Sequence, residues 1–175
     1  MAAIGIAHAQ EPGIRIGVVT MAPGEIFFER FGHNAIIVDD PARGPPLSYN
    51  FGMFDPTEPG FAWGFVRGRM QYQLAVMPAE QDLAYYRDVG RGVTLQWLDL
   101  APGQARALAD ALAVNALPGN REYAYDYFTD NCSTRVRDAL DAALGGLLRR
   151  QMDDPGAAGS NTWRSESVRL ASPAT

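Results

Sequence analysis

Cys132 is the only cysteine of the chain, and it stands directly behind Asp130-Asn131, two residue types that cap helix N-termini. The first turn of a helix offers backbone N–H groups without intrahelical partners and a partial positive charge. A thiolate there is stabilised, and its pKa falls below the roughly 8.5 of a free cysteine. Val136, Ala139, Leu140, Ala143 and Leu144 come next at helical spacing, with Cys132 one turn before Val136 on the same apolar stripe, which directs the sulfur inward. A thiol nucleophile needs a base. Of two histidines, His8 lies in an N-terminal stretch that reads as outside the fold, which leaves His33. His33 sits in Arg30-Phe-Gly-His-Asn-Ala-Ile-Ile-Val38, where Gly32 leaves room beside the backbone and the β-branched run predicts a buried strand. A histidine on a strand facing a cysteine at a helix start is the pairing that cysteine acyl-transfer chemistry requires. The bland alternative, a small buried thiol and a hydrogen-bonded core imidazole, fits the same residue types.

The elements that must position this pair can be read in chain order. Ile14–Thr20 alternates as a strand and Ala22-Pro-Gly24 ends it; Glu25–Arg30 is a turn of irregular or helical backbone leading to the His33 strand. Asp39–Pro46 is a loop by its turn residues, and Leu47–Gly52 returns antiparallel as a hairpin, bringing either Tyr49 or Asn50 alongside the imidazole. Phe54, Phe61, Trp63 and Phe65 form an aromatic stretch that serves either as a satellite of the core or as the wall of an apolar groove. Met70–Val76 alternates strictly and reads as a strand stopped by Pro78. Next come a short helix over 79–89, with Leu83, Tyr86 and Val89 on one side, and a strand over 93–98 with Val93, Leu95 and Trp97 on one face. Pro102 opens a helix over 103–117 with a buried stripe of Leu108, Ala111, Leu112 and Ala116. Tyr123, Tyr125 and Tyr127 alternate in an extended run before the cysteine helix; Gly156–Ser160 reads as a loop, and Trp163–Leu170 begins another helix. The expected fold class is α+β, with about five strands in a mostly antiparallel sheet and the helices grouped after the first three strands.

Composition narrows the function. The chain has 175 residues, 47% hydrophobic and 20% charged, enough for one domain with a sizeable core. Its net charge is −5 and all its cations are arginines, scattered rather than clustered, which argues against nucleic acid as a partner. One cysteine excludes an intramolecular disulfide. The Cys, His and carboxylate pattern matches no metal site, and no cofactor is expected. Residues 1–10 resemble the tail of a secretory signal, a short apolar run before Ala7-His8-Ala9, so export is expected and the domain spans 11–175. The chain stops at Ala-Ser-Pro-Ala-Thr175 without a terminating feature, so further structure is expected beyond it. No run approaches the ~18–20 apolar residues of a membrane-spanning helix.

Phe31-Gly-His-Asn-Ala35, Tyr49-Asn-Phe-Gly-Met-Phe54, Arg67-Gly-Arg-Met70 and Tyr125–Asp138 occur in the order of the motifs of the Lnb N-terminal periplasmic domain family, which the chain resembles from about Gly17 to Leu170. More distantly, a strand histidine far upstream of an Asn-Cys helix start is similar to circularly permuted papain-like folds, the NlpC-like hydrolases and the lecithin:retinol acyltransferase group. The resemblance implies an exported enzyme of the bacterial envelope, a lipoprotein transacylase that moves an acyl chain from the glyceryl lipid of a lipoprotein to its N-terminal amine. It implies Cys132 as nucleophile, His33 as base and, on the strand after the histidine, Asn50 or its neighbour Tyr49 as the orienting group. Asn34 and Asn131 also match, as substrate-orienting groups or as backbone caps, with Asn131 a candidate oxyanion donor beside Cys132 N–H. Arg135, on the same motif, either depresses the thiol pKa or binds a head group, or else lies on a solvated helix face or forms an ion pair with Asp138 or Asp141. The implied partners are a lipoprotein or phospholipid acyl donor and a membrane surface. A peptidase or amidase acting on peptidoglycan or peptide amides, and a non-catalytic envelope domain, are the competing readings.

Overall fold

A computed structural model describes residues 13–26, 29–54, 70–126 and 129–153. The signal-like segment 1–10, the aromatic residues Phe61, Trp63 and Phe65, the motif residues 67–69, Tyr127, and the loop and helix expected after 155 lie outside the described residues.

Six strands, β1 (Arg15–Met21), β2 (His33–Asp39), β3 (Leu47–Met53), β4 (Met70–Pro78), β5 (Val93–Trp97) and β6 (Glu122–Tyr125), form one antiparallel sheet in the order β5-β1-β2-β3-β4-β6. The described helices are α1 (Ala79–Asp88), α2 (Pro102–Asn115), α3 (Cys132–Ala143) and α4 (Leu147–Met152). The α+β class and the antiparallel sheet are as the sequence predicts. The strand beyond the expected five is β6, only four residues long, which pairs with β4 from Met70↔Tyr125 to Gln73↔Glu122.

Helices cover both faces of the central strands, and so β2 is apolar through its middle. Ile36 and Val38 project into a core shared with Ala105, Leu108 and Leu112 of α2 and Val136 of α3. Ala35 and Ile37 project the other way, with Ala79 and Tyr86 of α1. Successive residues of a strand point to opposite faces, so a segment buried on both sides must be apolar without alternation. Burying the Ile36 and Leu108 side chains is worth about 1.5–3 kcal/mol each.

Three stripes differ from their sequence reading. Val89 falls beyond the end of α1 and is exposed. In α2 the buried side chains are Ala105, Leu108, Ala109 and Leu112, while Ala111 is exposed, because the helix leans its Ala105–Ala109 side on the sheet. Leu95 and Trp97 are also exposed: β5 is the outer strand, and Arg15 lies 4.4 Å over the Trp97 ring.

Two glycines shape the ends of the central hairpin. Gly32, with φ +72°, turns the chain into β2; a Cβ there would sit 2.7 Å from Met21 O. Gly52, with φ +87°, lies where the β3–β4 register shifts between Asn50 and Met53. A shift of this kind bends a strand and re-aims the residues beyond it.

Candidate active site

Cys132 is the first residue of α3, as its capping residues predict. Asn131 is the N-cap: its Oδ1 accepts from Thr134 N (2.9 Å), and its own N–H donates to Thr134 Oγ1 (2.8 Å). Thr134 is buried and also donates to Asn131 O at 3.1 Å. This reciprocal pair satisfies two backbone donors and locks the helix start. Just upstream, Asp126 and Asp130 exchange backbone hydrogen bonds of 3.0 and 3.1 Å, closing a tight loop that delivers Asn131-Cys132.

The start of α3 lies against the ends of β2 and β3. The position a Cβ would take on Gly52 is 3.5 Å from Cys132 Cβ and 4.0 Å from Cys132 N. Asn34, next to His33, donates from Nδ2 to Ser133 Oγ at 2.7 Å, and Ser133 Oγ is 4.0 Å from Cys132 Sγ. Asn34 Oδ1 in turn accepts from Thr20 Oγ1 at 3.0 Å. Asn34 thus ties three elements together around the thiol.

His33 and Cys132, far apart in the sequence, meet this junction through their neighbours Asn34 and Ser133, which are hydrogen-bonded at 2.7 Å. Burial pushes the Cys132 thiol pKa up, but the His33 imidazole, the backbone of Asn34 and the Ser133 hydroxyl outweigh it and leave the thiol below its ordinary value. Burial likewise disfavours the His33 imidazolium; Cys132, then Asn50 and the Asp82 charge, outweigh burial and raise the imidazole above 6.5. Each group favours the charged form of the other, as a thiolate and an imidazolium do. Both residues are half-buried.

The imidazole is held from behind. His33 Nε2 is 3.0 Å from Asn50 Oδ1. The Asn50 amide cannot be reversed, because its Nδ2 donates to Asp82 Oδ2 (2.9 Å) and to Ser48 Oγ (3.0 Å), and Ser48 Oγ donates to the same carboxylate at 2.5 Å. With Oδ1 fixed as an acceptor, Nε2 carries a proton, and the charge of the ring is decided at Nδ1. Ser48, Asn50 and Asp82 are all buried, and the Tyr86 ring stacks on His33 with centroids 6.5 Å apart. Sequence reasoning misses Ser48 and Asp82. Asp82 sits on the polar side of what reads as an ordinary amphipathic helix, and nothing local shows that it faces β3.

The structure separates the remaining expected site residues. Of the two candidates on β3, Asn50 adjoins the imidazole, whereas Tyr49 points to the opposite face, where burial raises its phenol. Asn131 uses its side-chain oxygen on the helix cap. Arg135 forms a two-pronged ion pair with Asp130, with Nη2–Oδ2 at 2.6 Å, and stacks 4.0 Å over the Tyr123 ring. Its ion-pair partner is therefore Asp130, not Asp138 or Asp141. Tyr123 itself is buried, and its hydroxyl lies 3.8 Å from the Cβ position of Gly52. A cleft of about 580 Å³ beside this cluster is lined by Phe51, Leu112, Thr129 and Arg135, but not by Cys132 or His33. Among the described residues, no cluster of His, Cys, Asp and Glu could hold a metal ion, and no helix is long and apolar enough to cross a membrane.

The sequence matches the profile of the Lnb N-terminal periplasmic domain over residues 9–167. No curated protein and no solved structure matches the chain. The match spans nearly the whole sequence and contains every residue of the Cys132–His33–Asn50–Asp82 cluster, and the chain accordingly belongs to the Lnb N-terminal periplasmic domain family, whose place is the periplasm and cell envelope.

Proposed function

We propose that this protein is a cysteine acyltransferase of the cell envelope, working through an acyl-thioester on Cys132 and moving an acyl chain from a lipid ester to the N-terminal amine of a lipoprotein. The observation that carries the reading is the hydrogen-bonded line Asp82–Asn50–His33 ending at a helix-start thiol whose pKa is lowered. Solvated side chains or ordinary core packing do not require a buried carboxylate to fix an amide that fixes an imidazole. A strand histidine serving a cysteine at a helix start also fits a circularly permuted papain-like arrangement.

The chemistry is set by the tautomer. His33 Nδ1 takes the Cys132 proton, and the thiolate attacks the ester carbonyl. The C–O bond breaks, and the departing alkoxide takes the proton back from the imidazolium, leaving the thioester. An incoming amine attacks that thioester; His33 removes its proton and returns one to the sulfur. The net change is ester plus amine to amide plus alcohol.

Cleavage of a peptide or peptidoglycan amide would use the same pair, with an amine leaving and water entering. Family membership and the envelope location favour transfer. Purified protein incubated with a diacylglyceryl lipopeptide in detergent micelles separates the readings. Transfer predicts a hydroxylamine-sensitive acyl adduct on Cys132 by intact-mass spectrometry and an N-acylated lyso-peptide product. No adduct and no product, with cleavage of muropeptides instead, would reject transfer in favour of the amidase.

A further inference from the structure

The Tyr123 hydroxyl is buried, with Tyr123 only 9% exposed, and has no hydrogen-bond partner among the described residues. Buried hydroxyls are ordinarily satisfied, and an orphan needs a reason. Its surroundings give one. Gly52 has no side chain, and the point its Cβ would occupy is bounded by Tyr123 Oη at 3.8 Å, Cys132 Cβ at 3.5 Å and Cys132 N at 4.0 Å. As the first residue of α3, Cys132 has an N–H with no acceptor inside the helix. The space left by a glycine thus meets the nucleophile's own carbon, a backbone donor and a second, unused donor.

We propose that Tyr123 is an oxyanion-binding catalytic residue, its hydroxyl and Cys132 N–H together holding the oxygen of the tetrahedral intermediate in the space beside Gly52. The proposal rests on the reading of Cys132 as an acyl-transfer nucleophile. As the S–C bond forms, the carbonyl π pair moves onto oxygen, where the two donors receive it; the pair returns when the ester C–O bond breaks. Tyr123 donates a hydrogen bond throughout and gives up no proton. Burial and the nearby Cys132 charge push its phenol far above its ordinary pKa, with the Arg135 cation opposing them. The ring is positioned by β6 pairing opposite Tyr72 and by Arg135 over its face. No feature of the sequence marks Tyr123 apart from Tyr125, its neighbour in the alternating run.

Tyr123→Phe removes one oxygen and keeps the ring. Alkylation of Cys132 by iodoacetamide needs a thiolate but develops no oxyanion, whereas acylation by p-nitrophenyl decanoate and reversible addition to decanal both do. The proposal predicts unchanged alkylation in the variant, about 10²-fold slower acylation, weaker protection of Cys132 by decanal, and an unchanged or raised melting temperature, since an orphan hydroxyl is lost. Equal acylation and equal protection in the two proteins would overturn it. So would rapid alkylation of the wild type with no decanal adduct at all, which would mean that no oxyanion site is assembled. Wild-type alkylation no faster than a free thiol would instead reject the underlying nucleophile.

Discussion

Asn50 Oδ1 lies 3.0 Å from His33 Nε2, and it can only accept there, because the other end of the amide is committed to Asp82 and Ser48. A side chain on β3 therefore decides which nitrogen of a β2 histidine carries a proton, and a carboxylate on α1 decides which way that side chain points. The imidazole is the visible end of a buried polar line that crosses three elements.

Cutting that line should separate reactivity from packing. Asn50→Ala leaves Asp82 and Ser48 short of a buried partner, at a cost of about 1–3 kcal/mol in urea unfolding, and frees the imidazole to turn. Alkylation of Cys132 at pH 7 should fall at least tenfold. Asp82→Asn tests the far end: it keeps the shape, weakens the hold on Asn50, and should lower the alkylation rate by less than Asn50→Ala does. Equal rates in all three proteins would mean that the line has no part in reactivity.

The cap that aims the sulfur is separable from the chemistry. Thr134→Val is nearly isosteric but loses the hydroxyl that bonds Asn131 N and O. The expected loss is about 1–2 kcal/mol of stability, with slower alkylation because the helix start frays. Circular dichroism melts and labelling measured together would show whether the two fall in step.

Gly52→Ala places a methyl group in the space beside Cys132 while forcing a left-handed backbone angle on alanine. The strain should cost about 1–2 kcal/mol. The contacts at 3.5 Å and beyond are ordinary, so the fold should persist. Acylation by an ester should fall far more than alkylation by iodoacetamide, because only the former needs the filled space.

His33 should titrate differently without its partner. Cys132 is the main influence holding the imidazole above 6.5 against burial, so in Cys132→Ala its pKa should drop below the wild-type value. The sign carries through to stability. A raised folded-state pKa contributes stability that is complete below about 6.5 and is lost as pH rises through the folded value. Cys132→Ala should therefore lose this contribution, most visibly in urea unfolding on the acid side. An NMR titration of the His33 Hε1 proton measures the shift directly; an unchanged pKa would mean that the two groups do not interact.

Residues marked by local signals are legible in the sequence. Cys132 comes directly after a capping pair, His33 sits behind a glycine turn and opens a β-branched run, and Asn50 lies on the next strand of a short hairpin. Each signal reflects backbone geometry within a few positions. The features that escape depend on distant pairing: Asp82 reads as one more solvated carboxylate until the fold of α1 over β3 buries it. The choice between Asn50 and Tyr49 needs the actual face of β3. The alternation of Tyr123 and Tyr125 shows an extended run, but nothing local shows that it pairs with β4 as β6 and so brings Tyr123 beside Gly52. Arg135 is legible as a motif residue but not in its use, since its partner Asp130 precedes the helix.

The most direct test of the Cys132–His33 pair is the pH dependence of Cys132 alkylation by iodoacetamide in the wild type and in His33→Ala. A lowered thiol pKa predicts rapid labelling that persists below the range of a free cysteine and declines only as pH falls through the depressed value. In His33→Ala burial should dominate, and labelling should be slow until pH rises to or beyond the free-thiol range. Overlapping profiles, or a wild-type thiol no more reactive at about pH 6.5 than a free one, would contradict the pair and the acyltransferase built on it.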